Sequence, residues 1–185
     1  TGEPGKGFEY SNTNYVLLGH ILAGIGGSLE AALEEKVFSI AGMMETSVGR
    51  PKSSSQLARG YIEDDFLDVS DLAWASVLGD GPIVSTAGDL AKFVLALFRD
   101  EKIISAKLLR QMQTGSAADE SYGLGIGIDG DEWGEWFGHA GSYDGFEADF
   151  RYYPDDEVVF VFLTNGNPLD EDPILDAAAE SFFDK

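Results

Sequence analysis

The fold turns on residues 138–165, GHAGSYDGFEADFRYYPDDEVVFVFLTN. Phe146, Ala148, Phe150 and Tyr152 fall at every second position, so a pleated strand carries all four on one side. Pro154-Asp155-Asp156 breaks the run with turn-forming residues. The continuous apolar stretch that follows, EVVFVFLTN, predicts a buried strand returning antiparallel to the first. Ahead of both, small residues surround His139. Glycines there let a substrate lie against a strand edge, where main-chain N–H groups are available. A cation-capable side chain beside such an edge suits a carboxylate or a developing oxyanion. Taken alone, a glycine-rich hairpin with a surface histidine explains the stretch equally well.

Working outward, YGLGIGI (122–128) has alternating glycines and predicts another strand approached closely by other backbone. That makes a three-stranded antiparallel meander. DGDEWGE (129–135) lacks the ligand spacing of a calcium loop and predicts a hairpin turn. GLGIG lacks the spacing of a nucleotide loop, and no helix opens after it. The last residues, DEDPILDAAAESFFDK, predict a closing helix with acid at its N-terminus, where the helix dipole favours it.

Before Ser121 the pattern is helical with long loops. Ser28 is a predicted N-cap for a helix over 29–38, and Ser85-Thr86 open one in which Leu90, Phe93, Val94, Leu97 and Phe98 repeat at helical spacing. Ser105 starts a short helix over 106–113. SIAGMMETSVGR and the Ser-rich PKSSSQ predict a long connection, and the acidic run Glu63-Asp64-Asp65 a solvated loop face. From Tyr15, an apolar stretch predicts a helix largely buried against others, with His20 packed within it or at its edge. These readings divide the chain into a mostly helical part, 1–118, and a part with strands and the final helix, 119–185.

The totals bound the function. Twelve basic residues face 33 acidic ones, for a formal net charge of −21 over 185 residues. That balance argues against nucleic-acid partners, which need a basic face, and disfavours anionic membranes. The absence of cysteine excludes disulfides, thiolate catalysis and cysteine-ligated zinc, and two histidines cannot make a three-histidine metal site. No metal and no cofactor is expected. No stretch approaches the roughly 20 apolar residues of a membrane span, and the first seven residues lack signal-peptide features. The compartment stays open.

Tyr10-Ser11-Asn12, ahead of the first apolar helix, is by itself most simply a helix start. Set in order with GMMETS, GDGPIVSTAGDLAKF, YGLGIGI and GHAGSYDGFEADFRYYPD, however, it closely resembles the serine β-lactamase and penicillin-binding-protein superfamily, nearest its class C β-lactamase, esterase and D-aminopeptidase-like branch. The resemblance covers essentially the whole chain. It implies the β-lactamase/transpeptidase-like α+β fold, here in part: a helical lobe, the antiparallel strands and the C-terminal helix. Three motifs line the site in that family: Ser-x-x-Lys, Tyr-x-Asn, and Lys-Thr-Gly or its His-x-Gly variant. Tyr10-Ser11-Asn12 matches the second and His139-Ala140-Gly141 the third.

The resemblance implies roles. Tyr10 would move a proton between nucleophile and leaving group, and His139 would support the site's positive potential. Asn12 would hydrogen-bond the substrate, and Gly141 belongs to the edge it lies against. The main-chain N–H of Ser142 would be one arm of an oxyanion hole. The first motif is missing: the residues three before each lysine are Glu3, Leu33, Gly49, Asp89, Arg99, Ile104 and Phe182, and none is serine. The chain therefore reads as the C-terminal portion of a family member whose nucleophile lies outside these residues. Its partners would be the N-terminal segment of the same protein and a small-molecule substrate: a β-lactam, an ester or a D-amino-acid peptide. Two alternatives stay open: a separate N-terminal chain, or a non-catalytic module that binds in the same cleft. An acidic calcium-binding domain is a weaker third class. Incomplete strands and core also predict self-association or strand exchange.

Overall fold

The computed structural model describes residues 3, 6–50, 57–62, 67–70, 79–81, 83–167 and 172–184. The Ser-rich segment at 51–56 and the acidic run at 63–65 lie outside the described residues. Hydroxyl caps start the helices where the sequence places them. Helix α1 (Asn12–Gly26) ends at Gly27, with φ 84°. Ser28 Oγ then accepts the Ala31 N–H at 3.0 Å, and α2 begins at Leu29–Leu33. It runs on through a π-type turn, Glu34–Phe38, to Ser39–Ala41. The two rods meet at 82°, and no single helix among the described residues is long and apolar enough to cross a membrane. Thr86 Oγ1 accepts the Asp89 N–H at 3.1 Å to open α3 (Ala87–Val94), which continues as a π-type turn over Leu95–Arg99. Ser105 caps α4 (Ala106–Met112), and α5 (Asp172–Phe183) closes the chain.

The connections of the first part hold more order than the sequence suggests. Strand β1 (Ser47–Val48) pairs antiparallel with β4 (Ile83–Val84). Strand β2 (Tyr61–Ile62) pairs with β3 (Leu67–Asp68), and β10 (Gly166–Asn167) joins β2 in parallel. Each ladder is two residues long, too short for an alternating pattern to reveal.

The main sheet has five strands rather than a three-stranded meander. Strand β5 (Gly127–Asp131) turns back as β6 (Gly134–Gly138), so 129–135 does form a hairpin. Strand β7 (Gly141–Tyr143) precedes the long central strand β8 (Phe146–Tyr153), and β9 (Val158–Thr164) returns along its other edge. Both β6 and β7 lie on the same edge of β8, with Gly138 opposite Arg151 and Gly141 opposite Ala148. They act as one strand whose pairing lapses at His139-Ala140. A Cβ on Gly138 would collide with the Phe150 carbonyl, so the strands approach here only because the residue is glycine. The strand predicted from Tyr122 starts five residues later. Residues 123–126 fold into a turn in which the Gly123 N–H donates to the Ile126 carbonyl at 2.8 Å, and Gly125 takes φ 78°.

Helices cover both faces of β8. Phe150 and Tyr152 join Val94, Leu97, Phe98, Leu109, Ile126 and Phe137 in one buried cluster. Phe98 stacks on Phe137 and Tyr152 at 5.9 and 5.3 Å. Each such side chain contributes roughly 1.5–3 kcal/mol by leaving water. On the other face, Tyr153 meets Phe183 of α5 at 5.2 Å and donates its hydroxyl to Asp131 at 2.6 Å. Strand β9 is half-buried rather than buried, and among the described residues β8 is its one partner in the sheet.

Helix α1 departs most from expectation. Gly19 is its one buried residue, while Leu17, Leu18, Ile21, Leu22 and Ile25 are exposed, Ile25 by 81%. His20 is exposed as well. The apolar pattern predicts burial, but among the described residues this face is largely uncovered.

Candidate active site

The start of α1 and the break between β6 and β7 come together. Tyr10 sits two residues before the helix, half-exposed, and its ring centroid lies 6.2 Å from that of His139. Residues 129 positions apart thus share one face, whereas a helix start alone would need only local contacts. Capping does not explain the motif either: the N-cap is Ser11, and its side chain makes no capping bond. Asn12 is the first helical residue and is exposed. Gly141 and Ser142 are exposed on β7, just beyond His139.

Three further aromatic residues complete the cluster. The Tyr122 ring meets Tyr10 edge-on at 5.9 Å and His139 at 5.9 Å. Phe8 packs on Tyr122 at 5.3 Å, and Tyr15 on Tyr10 at 6.0 Å. A hydrogen-bond chain threads them. Tyr15 Oη is 3.1 Å from Tyr122 Oη, and Tyr122 Oη is 2.8 Å from His139 Nε2. The other ring nitrogen, Nδ1, lies 2.7 Å from the Ala140 carbonyl. Sequence reasoning missed Tyr15, Tyr122 and Phe8. Tyr122 had a signal, standing directly before the glycine turn; Tyr15 reads from sequence as one more core residue of α1.

Electrostatics here hold phenols neutral. Burial, then the neighbouring Tyr15 and the Asp80 carboxylate, push the Tyr10 pKa above the ordinary phenol value. Burial pushes Tyr122 up further, helped by its bond to Tyr15. A phenol must lose its proton to act as a base, and negative or apolar surroundings oppose that. Tyr10 therefore needs a cation close by before it can take a proton near neutral pH.

The Beta-lactamase family matches residues 1–183. Penicillin-binding protein 4* of Bacillus subtilis (strain 168) is 29% identical over 203 residues, covering 98% of this chain and 45% of that protein. Among solved structures, the D-amino acid amidase of Ochrobactrum anthropi SV3 complexed with L-phenylalanine superposes with a TM-score of 0.80 at 29% identity, over 98% of this chain and 59% of its own. The octameric penicillin-binding protein homologue of Pyrococcus abyssi superposes with a TM-score of 0.84 at 26% identity, over all of this chain and 44% of its own. The chain thus spans about half the length of these relatives. With a family match along nearly all of its length and the same fold in solved relatives, the chain belongs to the Beta-lactamase family.

Proposed function

We propose that these residues form the C-terminal part of a serine hydrolase that works through an acyl-serine intermediate. The observation that carries the reading is the meeting of Tyr10 and His139, the leading residues of the two matched motifs, at 6.2 Å. The cleft would lie where residues 1–118 meet residues 119–185. Tyr10 would pass the proton between the serine and the leaving group, with Asn12 and the edge at Gly141 and Ser142 holding the substrate. The Ser142 N–H would stabilise the tetrahedral oxyanion, a contribution of about 100- to 1,000-fold per donor.

The raised Tyr10 pKa fits a site that would draw its cation from Ser-x-x-Lys, a motif that these 185 residues lack. Tyr10 requires a cation, and Ser-x-x-Lys brings one together with the serine. A β-lactam, a small ester and a D-amino-acid peptide all present an acyl carbon to such a serine. Pocket shape chooses among them. The absence of Ser-x-x-Lys from the 185 residues also favours a second reading, a non-catalytic binding module using the same cleft. The test is to express the longer protein and incubate it with a fluorescent penicillin and a fluorophosphonate. A covalent adduct mapped to an upstream serine supports the hydrolase. Reversible binding with no adduct supports the module.

A further inference from the structure

The His139 ring is held by bonds whose directions can be worked out from the groups involved. A carbonyl oxygen only accepts, so the 2.7 Å contact to Ala140 requires hydrogen on Nδ1. In the neutral ring Nε2 then carries a lone pair, and the Tyr122 hydroxyl 2.8 Å away must donate to it. Having donated, Tyr122 Oη is free to accept from Tyr15 Oη at 3.1 Å. The chain runs one way: Tyr15 to Tyr122 to His139 to Ala140.

We infer that Tyr122, backed by Tyr15, is the positioning residue that fixes the His139 tautomer and holds its Nε2 on the Tyr122 hydroxyl. Its anchoring fits that task. The flanking backbone is tied by the Gly123 N–H to the Ile126 carbonyl and by the Ile128 N–H to the Ser121 carbonyl, each at 2.8 Å. Gly125, at φ 78°, brings the turn to within 3.5 Å of the Tyr15 hydroxyl, measured from where a Cβ would stand. The raised pKa of Tyr122 keeps its proton available for donation. A phenol also serves the charged ring. When Nε2 gains a proton it donates to Tyr122 Oη, and the Tyr122 hydroxyl rotates to donate to Tyr15. Both charge states keep every bond, at the cost of turning two hydroxyl rotors. Phenylalanine at 122 would keep the ring contacts with Tyr10 and Phe8 but lose both directions of the chain. The catalytic consequence rests on the hydrolase reading above; the tautomer does not.

The experiment is selective 15N-histidine labelling with long-range 1H–15N spectra at about pH 9, well above the ordinary imidazole range. The 185 residues hold two histidines, so His20→Gln identifies the signals. His139 should show an Nδ1–H, unprotonated Nε2 pattern, while exposed His20 averages between tautomers. In Tyr122→Phe the His139 signals should move toward the His20 average, and in Tyr15→Phe they should move less. An Nε2–H pattern in the wild type, or a His139 pattern unchanged in a Tyr122→Phe protein with native circular dichroism, overturns the inference. If Tyr122→Phe does not fold, the wild-type pattern and Tyr15→Phe decide. The two readings fail separately: a fixed tautomer without acyl-enzyme formation in the longer protein counts against the hydrolase alone. Acylation with an averaged His139 counts against Tyr122 alone.

Discussion

Asp89 Oδ2, near the start of α3, accepts the hydroxyl of Thr46 at 3.0 Å and the Glu45 N–H at 2.7 Å. Both Asp89 and Thr46 are almost fully buried, and Lys92 Nζ closes the network at 2.7 Å on Asp89 Oδ1. One carboxylate thus ties β1's approach to the helix that carries the core. Asp89→Ala leaves the Glu45 N–H without its acceptor and the Thr46 hydroxyl with Ser85 Oγ at 2.7 Å in its place, and should lower stability by about 1–3 kcal/mol. The pH dependence has a definite sign. Burial pushes this carboxyl up, but the bonds from Lys92, Glu45 and Thr46 outweigh it and hold its pKa below the ordinary value. Its contribution is then complete above about pH 4, the unfolded value, and is lost as pH falls through the folded one. Urea unfolding of wild type and Asp89→Asn at pH 7 and pH 3 should show the gap narrowing in acid. A gap independent of pH would refute this assignment.

Arg151 makes the opposite arrangement, a buried cation with exposed partners. Its side chain is 6% exposed, whereas Asp172 and Asp176 are 73% and 57% exposed. The guanidinium lies 4.9 Å over Trp136, and among the described residues its Nε has no hydrogen-bond partner. Removing a buried charge costs less than stranding it. Arg151→Met should therefore destabilise less than the pair Asp172→Ala with Asp176→Ala, which leaves the cation buried and uncompensated. Chemical unfolding of both variants decides; equal losses would mean that solvent already screens the pair.

The sheet and the caps were legible in the sequence because each rests on local rules. Phe150 and Tyr152 alternate, Ser28 and Thr86 cap, and Pro154 turns the chain. The motif residues Tyr10 and His139 were legible through resemblance alone, since no local rule joins positions 129 apart. The Tyr15–Tyr122–His139 chain was not legible: two phenols look like core until their hydroxyls are seen to meet. Helix α1 misled for a related reason. Apolar spacing reports which face seeks cover, not whether the cover lies in the same residues.

Stability should rise with sodium chloride. A formal net charge of −21 opposes the compact state through self-repulsion, and screening shortens from about 10 Å at 0.1 M salt to about 3 Å at 1 M. Melting temperatures measured across that range should increase. Sulfate should add a further increment by strengthening apolar burial. A flat chloride series would show that the acidic side chains are already spaced beyond effective repulsion.

If a longer protein supplies the nucleophile, as proposed, Tyr10→Phe in it should cut turnover about 100- to 10,000-fold, the usual size of a general acid–base contribution, with little change in substrate affinity. Phenylalanine keeps the ring contacts to Tyr15, Tyr122 and His139, so the cluster should persist. Asn12→Ala should instead alter turnover and affinity together, because its proposed contact to substrate would exist before and during the reaction. Steady-state kinetics on one ester and one D-amino-acid amide separate these outcomes. Near-normal turnover in Tyr10→Phe would return that tyrosine to a packing role.

Expressed alone, these 185 residues should neither acylate nor stay monomeric, and both expectations follow from surfaces already described. The serines present have no lysine three residues on, so none has the base of a Ser-x-x-Lys motif to make its hydroxyl a nucleophile. The raised pKa of Tyr10 also opposes its acting as a base at neutral pH. Intact-mass measurement after incubation with a chromogenic cephalosporin and p-nitrophenyl butyrate should show no adduct. Meanwhile Leu17, Leu18, Ile21, Leu22 and Ile25 present a continuous apolar face on α1, and burial returns about 25 cal/mol per Å². Strand β9 adds an outer edge that pairs with no other strand among the described residues. The α1 face carries more apolar side chain than that edge, so it should dominate. Sedimentation velocity should then show association that Leu18→Gln with Ile25→Gln weakens without lowering the melting temperature. Association unchanged by those substitutions, but abolished by a proline in β9, would transfer the contact from the helix to the strand edge.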